Sequence, residues 1–291
     1  MAVFNLGSIN IDHVYRVPHL PLPGETLAVD GYHRGLGGKG ANQSVAALRA
    51  GAKVVHIGAI GADDTWIADQ LGAHGLSLEA IARVPAATGH AVIAVDPAGE
   101  NSILIHPGAN RAQSPEMIAR ALLAAGPDDS LMLQNETSHQ SLAARAARAR
   151  GSRVFYSAAP FELPPLLEVL GHATHLLLNA LEAEALMRET GTALRDLPVE
   201  AVVVTRGAAG AEWIGDGAAP LFVPAFKVQP VDTTGAGDCF AGSLVAGLDR
   251  GLPPAEALRY AAAAAALQVT RLGAAEAMPE RAEAEAFLAA Q

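Results

Sequence analysis

Near the C-terminal end of the chain, small residues are followed at once by an acid in the run Gly235-Ala236-Gly237-Asp238. The apolar residues that come next recur at helical spacing, so the run is predicted to lie at the start of a helix. Unpaired backbone N–H groups and the helix dipole favour an anion there, and Asp238 could take a proton from a hydroxyl group. The alternative is a glycine-rich loop in which Asp238 only caps the helix. This run alone does not decide between the two interpretations.

A second glycine-rich run, residues 35–42, begins another predicted helix that ends at Gly51. Residues 35–40 match the dinucleotide-binding pattern G-x-G-x-x-G, but that site requires a buried strand just before the glycines, and residues 30–34 are polar. We therefore do not interpret the run as a dinucleotide site. Upstream, Asn10 and Asp12 follow a short apolar strand. Because they lie two residues apart, their side chains point to one face of an extended chain.

The composition suits a protein whose helices pack on a parallel sheet. Of 291 residues, 51% are hydrophobic but only 4% are aromatic, so the core must consist mostly of Ala, Val, Leu and Ile. The net charge of −10 disfavours non-specific binding to nucleic acid or anionic membranes, because their phosphates would be repelled. We expect neither as a partner, and any bound phosphate must be held locally.

Cys239 is the only cysteine, so no disulfide can form within the chain and a reducing compartment fits. Its position beside Asp238 favours a small buried residue behind the predicted anion loop over a reactive thiol. The N-terminal residues have no basic region, and no apolar run approaches the length that spans a membrane. These features predict a soluble cytoplasmic protein.

Short apolar runs alternate with helical patterns along most of the chain. This alternation predicts βαβ units and therefore a mostly parallel sheet with helices on both faces. Such sheets bind ligands at the carboxyl ends of their strands, and Asn10, Asn179 and Thr205 each follow an apolar run. The predicted strands are 2–7, 53–58, 130–134, 153–157, 174–178, 201–205 and 211–214. The predicted helices are 39–50, 65–74, 114–125, 138–150, 181–190, 235–250, 254–271 and 280–289.

Two segments, 13–35 and 89–106, interrupt this alternation. The second has alternating apolar residues on both sides of a turn at 96–99, which predicts a hairpin. Together the segments predict a small antiparallel sheet inserted into the α/β core. A pair of edge hairpins on the core itself is the alternative.

Taken together, these motifs resemble the ribokinase-like carbohydrate kinases, also called the phosphofructokinase-B family. They occur in family order from residue 7 to about residue 273. The resemblance implies a ribokinase-like three-layer α/β/α core with a mostly parallel sheet, formed by 1–12, 36–88 and 107–291, and a small antiparallel β lid formed by 13–35 and 89–106. The matching pieces are N-x-D at 10–12, GGKGAN at 37–42, N-x-x-E at 179–182, T-x-G at 205–207 and D-T-x-G-A-G-D at 232–238.

The resemblance also implies the reaction, the transfer of the γ-phosphoryl group of ATP to a sugar hydroxyl. Asp238 would be the general base, and the backbone amides of Gly235, Ala236 and Gly237 would form the anion hole. Sugar-binding residues would be Asn10, Asp12, Gly38, Lys39, Asn42, Glu136 and Asp238. Nucleotide-binding residues would be Asn179, Thr205, Gly207, Gly210 and Gly237.

Two metal sites follow from the same resemblance. Asn179 and Glu182 would act on Mg²⁺ through water, although their spacing also fits a helix capping box. A monovalent cation, K⁺, would be held by the side chains of Asp232 and Thr234 and by carbonyl groups near Gln268, Arg271 and Gly273. The chain departs from ribokinases here, because Ala277 stands where they usually carry a serine. A second departure is Ser157-Ala158-Ala159-Pro160, where ribokinases usually have Asn-Pro-Ala-Pro.

The substrate expected from the resemblance is D-ribose, phosphorylated at its 5-hydroxyl. A fructose, deoxyribose or nucleoside kinase of the same family is the alternative, and a catalytically silent sugar-binding regulator is an alternative of another class. The lid segments carry too little core to stand alone, and exposed apolar strands risk aggregation. We therefore expect a homodimer in which two lids pack together.

Overall fold

A computed structural model describes residues 1–215 and 219–291. Within this part of the chain, strands and helices alternate as the sequence predicts. The strands are β1 (Val3–Leu6), β2 (Asn10–Arg16), β3 (Gly31–Gly37), β4 (Val54–Gly61), β5 (Ile81–Val84), β6 (Gly89–Val95), β7 (Asn101–His106), β8 (Ser130–Gln134), β9 (Arg153–Ser157), β10 (His175–Asn179), β11 (Ala201–Thr205), β12 (Gly210–Gly215) and β13 (Leu221–Pro224). The helices are α1 (Lys39–Arg49), α2 (Thr65–Ala73), α3 (Pro115–Ala121), α4 (Gln140–Arg148), α5 (Leu163–Leu170), α6 (Ala180–Thr190), α7 (Ala236–Asp249), α8 (Pro254–Gln268) and α9 (Arg281–Ala289).

The larger sheet has nine strands in the order β13-β12-β11-β10-β9-β8-β1-β4-β5. Its strands pair in parallel except at one edge, where β12 and β13 run antiparallel to their neighbours. The inner strands are apolar on both faces because helices cover both. Along β8, Leu131 and Leu133 pack with α3–α6, whereas Met132 between them packs with α7 and α8. This confirms the predicted three-layer α/β/α core.

The smaller sheet has four strands in the order β3-β2-β6-β7. β2–β3 and β6–β7 are antiparallel, β2–β6 is parallel, and the hairpin predicted in 89–106 is present. The sheet begins at Asn10 and its first hairpin ends at Gly37, so its strands extend beyond the segments assigned to the lid. Asn10 and Asp12 therefore lie on β2, a strand of this sheet that is separated from the carboxyl end of β1 by three residues.

Some elements differ from the prediction. The short strands β5 and β13 and the helix α5 were missed. Helix α5 was missed because Pro164 and Pro165 indicate a loop, although proline is tolerated in the first turn of a helix. The helix predicted to reach residue 271 ends at Gln268. The α-helical pattern stops because the N–H groups of Thr270 and Arg271 donate only three residues back, to Leu267 O at 3.2 Å and Gln268 O at 3.0 Å, and Val269 O accepts from Val231 and Asp232 N–H instead. In the described part of the chain, no helix is long and apolar enough to cross a membrane.

Candidate active site

The predicted site residues gather at the carboxyl-terminal edge of the large sheet. Glu136 follows β8, Asn179 ends β10 and Thr205 ends β11. The first residues of α1 and α7 face the same edge, which brings Lys39 and Asp238 toward one cleft. The geometry follows from parallel strands, whose carboxyl ends all meet at one side of the sheet.

Asp238 lies in the first turn of α7 and is fixed by two amide groups of α1. Asn42 Nδ2 donates to Oδ2 and Gln43 Nε2 donates to Oδ1, both at 3.0 Å. Burial raises the pKa of Asp238, and the positive charge of Lys39 and these two hydrogen bonds oppose the rise. Because both carboxylate oxygens accept hydrogen bonds, the group is held in one orientation.

The backbone before Asp238 was predicted to form an anion hole from the N–H groups of Gly235, Ala236 and Gly237, and one of these groups already has a partner. Gly235 is the N-cap of α7 with a φ of 78°, in the left-handed region that favours glycine. The Ala236 N–H donates to Thr233 O at 3.2 Å, whereas no described residue accepts a hydrogen bond from the N–H of Gly235 or Gly237. Two N–H groups at a helix N-terminus are thus available to an anion.

The sugar-side residues come from the small sheet and from α1. Asp12 has a pKa raised to about 7, first by burial and then by the nearby carboxylates of Glu136, Glu276 and Asp238. Asn10 is buried, and its Oδ1 accepts a hydrogen bond from Asn110 Nδ2 at 2.7 Å. These two side chains share one face of β2, as their spacing predicts.

Glu136 is tied to the glycine-rich turn that begins α1. Its Oε2 accepts hydrogen bonds from Ser8 Oγ and, at 3.2 Å, from the Lys39 N–H. Burial raises the pKa of Glu136, against the effect of the Lys39 charge. Gly38, the N-cap of α1, has a φ of 90°, which a residue with a side chain rarely adopts.

Lys39 is the positive charge of this cleft. Burial alone would lower its pKa, but nearby carboxylates more than offset this effect and raise it. The carboxylates are, in order of influence, those of Asp238, Glu136, Glu182 and Asp12. Lys39 therefore keeps its positive charge. This charge offsets the negative charges of the nearby carboxylates, which would otherwise repel a phosphate group.

The residues predicted for the nucleotide and Mg²⁺ lie toward β10–β12. Asn179 and Glu182 form a capping box at the start of α6, with Glu182 N–H donating to Asn179 Oδ1 at 2.9 Å and Asn179 N–H donating to Glu182 Oε2 at 2.7 Å. Thr205 ends β11. Gly207 and Gly210 bound the turn that follows, and a Cβ on Gly210 would lie 2.1 Å from Val223 O. Among the described residues, no group of three or more His, Cys, Asp or Glu could hold a metal ion.

The segments predicted to hold a monovalent cation are brought together. The Asp232 carboxylate accepts hydrogen bonds from Thr234 N–H at 2.9 Å and from Gly273 N–H at 3.0 Å. The side-chain Nε2 of Gln268 donates to Thr234 O at 2.7 Å and to Gly273 O at 3.1 Å. The guanidinium group of Arg271 is turned away and pairs with Glu283 at 2.6 Å.

Sequence reasoning missed Gln43, Gln134 and Asn5, whose hydrogen bonds connect Asp238 to the core of the large sheet. Gln134 Nε2 donates to Gln43 Oε1 at 2.8 Å and to Asn5 Oδ1 at 2.9 Å, so a buried polar chain runs from Asp238 to β1. One signal was available: Ser44 is polar on the stripe of α1 that Ala41, Val45 and Leu48 mark as facing the core, and its Oγ accepts a hydrogen bond from Asn5 Nδ2 at 2.9 Å. Buried polar groups at such positions need partners.

Comparisons with known proteins identify the family of the chain. The family of pfkB carbohydrate kinases matches residues 2–281. The ribokinase of Haemophilus influenzae is 36% identical over 97% of this chain and 97% of its own. The solved structure of the Thermotoga maritima ribokinase has a TM-score of 0.90 at 33% identity, over 99% of both chains. The Arabidopsis thaliana ribokinase, solved in complex with ribose and ATP, has a TM-score of 0.86 at 29% identity, also over 99% of both chains. The chain therefore belongs to the pfkB family of carbohydrate kinases.

Proposed function

We propose that the protein is an ATP-dependent ribokinase, which transfers the γ-phosphoryl group of ATP to the 5-hydroxyl of D-ribose. The observation that carries the proposal is the position of Asp238, oriented by Asn42 and Gln43 beside two available N–H groups of α7. The likeness to ribokinases over nearly the full chain favours ribose as the acceptor. ATP is supported by the Arabidopsis relative, whose structure contains ribose and ATP.

In the proposed reaction Asp238 takes the proton from the sugar hydroxyl as that oxygen attacks phosphorus. The N–H groups of Gly235 and Gly237 stabilise the negative charge of the transferring group. One such hydrogen bond usually lowers the activation free energy by about 3 kcal/mol. Lys39 adds a positive charge within the same cleft. Phosphoryl transfer depends mainly on such positioning and charge neutralisation.

The sugar would lie between the small sheet and α1. Asp12 and Asn42 suit pairs of adjacent hydroxyls, since each offers two polar atoms to one side. Asn10, Glu136 and the backbone at Gly38 complete the pocket. The free Oε1 of Glu136 is the atom left for the sugar, because Oε2 is used by Ser8 and Lys39.

The adenine nucleotide would occupy the edge formed by Thr205, Gly207 and Gly210, with its phosphates directed to α7. Glu182 uses one carboxylate oxygen in the capping box, which leaves the other to orient water around Mg²⁺ beside Asn179. Mg²⁺ commonly keeps several waters, so a sparse set of protein ligands fits it. When bound, Mg²⁺ would neutralise phosphate charge. K⁺ is not among the proposed cofactors, because Gly273 O, a carbonyl predicted to bind it, accepts a hydrogen bond from Gln268, as does the neighbouring Thr234 O.

We further propose a homodimer formed through the small sheet, which would act as a lid over the sugar. The lid would comprise the predicted segments 13–35 and 89–106 together with the strand ends at Asn10 and Gly37. The support is the exposure of apolar residues on that sheet, including Ile103 and Ile105. A cytoplasmic location is proposed with it, because ATP is available there and Cys239 is a buried free thiol.

The test is ATP turnover with a panel of acceptors: D-ribose, 2-deoxyribose, fructose and nucleosides. We expect kcat/KM to be highest for D-ribose, and phosphorus NMR of the product to place the phosphate on O5. A higher kcat/KM for another acceptor would replace ribose within the same family. If every acceptor binds without turnover, the protein would instead be a sugar-binding regulator.

A further inference from the structure

The cation site that the resemblance implies does not have the donor set a cation needs. A monovalent cation is held by oxygen atoms that turn their lone pairs toward it. Here Thr234 O and Gly273 O both accept hydrogen bonds from Gln268 Nε2, at 2.7 Å and 3.1 Å. Ala277 offers a methyl group where a hydroxyl was expected. The residues present therefore do not fit K⁺.

The orientation of the Gln268 amide follows from its neighbours. Gln268 is fully buried, and its Oε1 has no hydrogen-bond partner within the described part of the chain. The reverse orientation would place Oε1 against two carbonyl oxygens, and three acceptors without a donor would repel one another. The N–H groups must therefore face Thr234 and Gly273.

We propose that the side-chain amide of Gln268 takes the place of the monovalent cation, so that the kinase works without K⁺. The amide joins the two segments that a cation would join, 231–235 and 268–273. Backbone bonds from Val231 N and Asp232 N to Val269 O, at 2.7 Å and 3.1 Å, connect the same segments. Because Thr234 immediately precedes the N-cap of α7, this contact fixes the backbone that forms the anion hole.

The covalent replacement has a clear physical consequence. The amide is carried at the end of α8 and is always present, whereas a bound cation must be taken from solution and can be lost. Its two N–H groups satisfy the carbonyls without adding charge. The Asp232 carboxylate is satisfied separately, by the N–H groups of Thr234 and Gly273.

The first experiment compares turnover in KCl, NaCl and choline chloride at matched ionic strength. The wild-type protein is expected to give equal rates. Gln268→Ala removes both hydrogen bonds and opens space, so its rate should fall by about tenfold and recover more in KCl than in NaCl. Gln268→Met fills the space without donors, so its rate should fall and respond to no salt.

A matched control is Gln140→Ala, because Gln140 is also a buried amide that donates to a carbonyl, Thr137 O at 3.0 Å. Its ratio of rates in KCl and NaCl should equal that of the wild type. A wild-type enzyme faster in KCl than in NaCl would overturn the proposal. So would a Gln268→Ala variant that keeps wild-type rates in every salt.

The second experiment measures cation binding and does not depend on catalysis. The proposed effect of Gln268 on turnover rests on the proposed kinase function. Crystals soaked in thallium(I) should show no anomalous peak between Thr234 and Gly273 in the wild type, and a peak there in Gln268→Ala. KCl should raise the melting temperature of that variant over NaCl, but not that of the wild type. A thallium peak in the wild type would overturn the proposal. Failure of every acceptor to be phosphorylated would overturn the proposed function and leave this measurement intact.

Discussion

The carboxylate of Asp238 shows how single residues determine the chemistry of this site. An acid buried in a cleft tends to keep its proton, and burial does raise the pKa of Asp238. The charge of Lys39 and the hydrogen bonds from Asn42 and Gln43 oppose this effect, because each of them favours the carboxylate form that can accept a proton. The same bonds fix its direction, which general-base catalysis also requires.

Asp238→Asn tests this role at the scale of one atom. The new amide N–H would face the side-chain N–H of Asn42. Asn42 can turn its own amide to present Oδ1 instead, because that buried oxygen has no other partner within the described chain. We therefore expect the variant to fold and to bind sugar and ATP. Its turnover should fall by roughly 10²-fold or more, measured by ADP release. Near-normal turnover would rule out Asp238 as the base.

Asp12 should make sugar binding depend on pH. Its pKa of about 7 means that the group is mostly protonated below neutrality, and a protonated carboxyl accepts fewer hydrogen bonds from sugar hydroxyls. The KM for sugar should therefore fall as the pH rises toward 7, by up to about tenfold per unit, and level off above it. In Asp12→Asn this slope should vanish. An unchanged slope in that variant would assign the titration to another group.

The same shift has the opposite sign for the stability of the sugar-free protein. Between the ordinary pKa of 3.8 and the raised value of about 7, the folded state holds a proton that the unfolded state has lost. The contribution of Asp12 to the free energy of unfolding thus declines as the pH rises through this window. Bound sugar, by favouring the carboxylate, would reduce this loss.

At the scale of elements, the contact between α1 and α7 assembles the base and its two amide partners. The helices approach closely at Gly242, where an added Cβ would lie 2.4 Å from Gln43 O and 2.7 Å from Ala46 Cβ. This approach brings Asn42 and Gln43 within hydrogen-bond distance of Asp238. The glycine in α7 is therefore required by packing rather than by helix propensity.

Gly242→Ala should push the two helices apart. We expect a loss of about 1–3 kcal/mol in the free energy of unfolding from overpacking. Turnover should fall as well, by up to about 10²-fold, because the hydrogen bonds to Asp238 lengthen. Urea denaturation and ADP release would measure the two effects.

Gly247→Ala is the matched control on the same helix. Its nearest neighbour, Ala257 Cβ, would be 3.4 Å from the new Cβ, an ordinary contact. Replacing glycine by alanine in a helix usually stabilises it by about 1 kcal/mol, so we expect equal or greater stability and normal turnover. Similar losses in both variants would mean that the close approach at Gly242 is not special.

The elements show which parts of the site the sequence could predict. The ends of β1, β10 and β11 follow from apolar runs, and the motifs at these ends placed Asn10, Asn179 and Thr205 at one edge. Gln43 was missed because adjacent residues on a helix seldom point to one partner, and only the contact of α1 with α7 lets two neighbours reach Asp238. The role of the Gln268 side chain was missed because only a carbonyl group near Gln268 was expected to take part in this site, within a helix predicted to continue to residue 271.

At the scale of the whole molecule, the small sheet is a part that leaves large apolar side chains exposed. All residues of β7 are exposed, and Ile103 and Ile105 have 48% and 58% of their surfaces accessible. Both lie on the face of the sheet that carries Asp12, because Ile105 pairs with Ala91 and Ala91 pairs with Asp12. A four-stranded sheet with an exposed apolar face is a candidate interface, and a second copy of the same sheet would cover it.

Ile105→Glu should disrupt this interface and the sugar pocket together. Burying an unpaired carboxylate between two lids has a desolvation cost that exceeds the free energy gained from the apolar contact. In light scattering we therefore expect a dimer for the wild type and a monomer for the variant. The KM for sugar should rise in the variant because its lid is no longer supported. Leu123→Glu is the matched control, since Leu123 is also exposed (64%) but lies after α3, away from the small sheet. A wild-type monomer, or a variant that stays dimeric with an unchanged KM, would remove the small sheet from both roles and leave its apolar face without a partner.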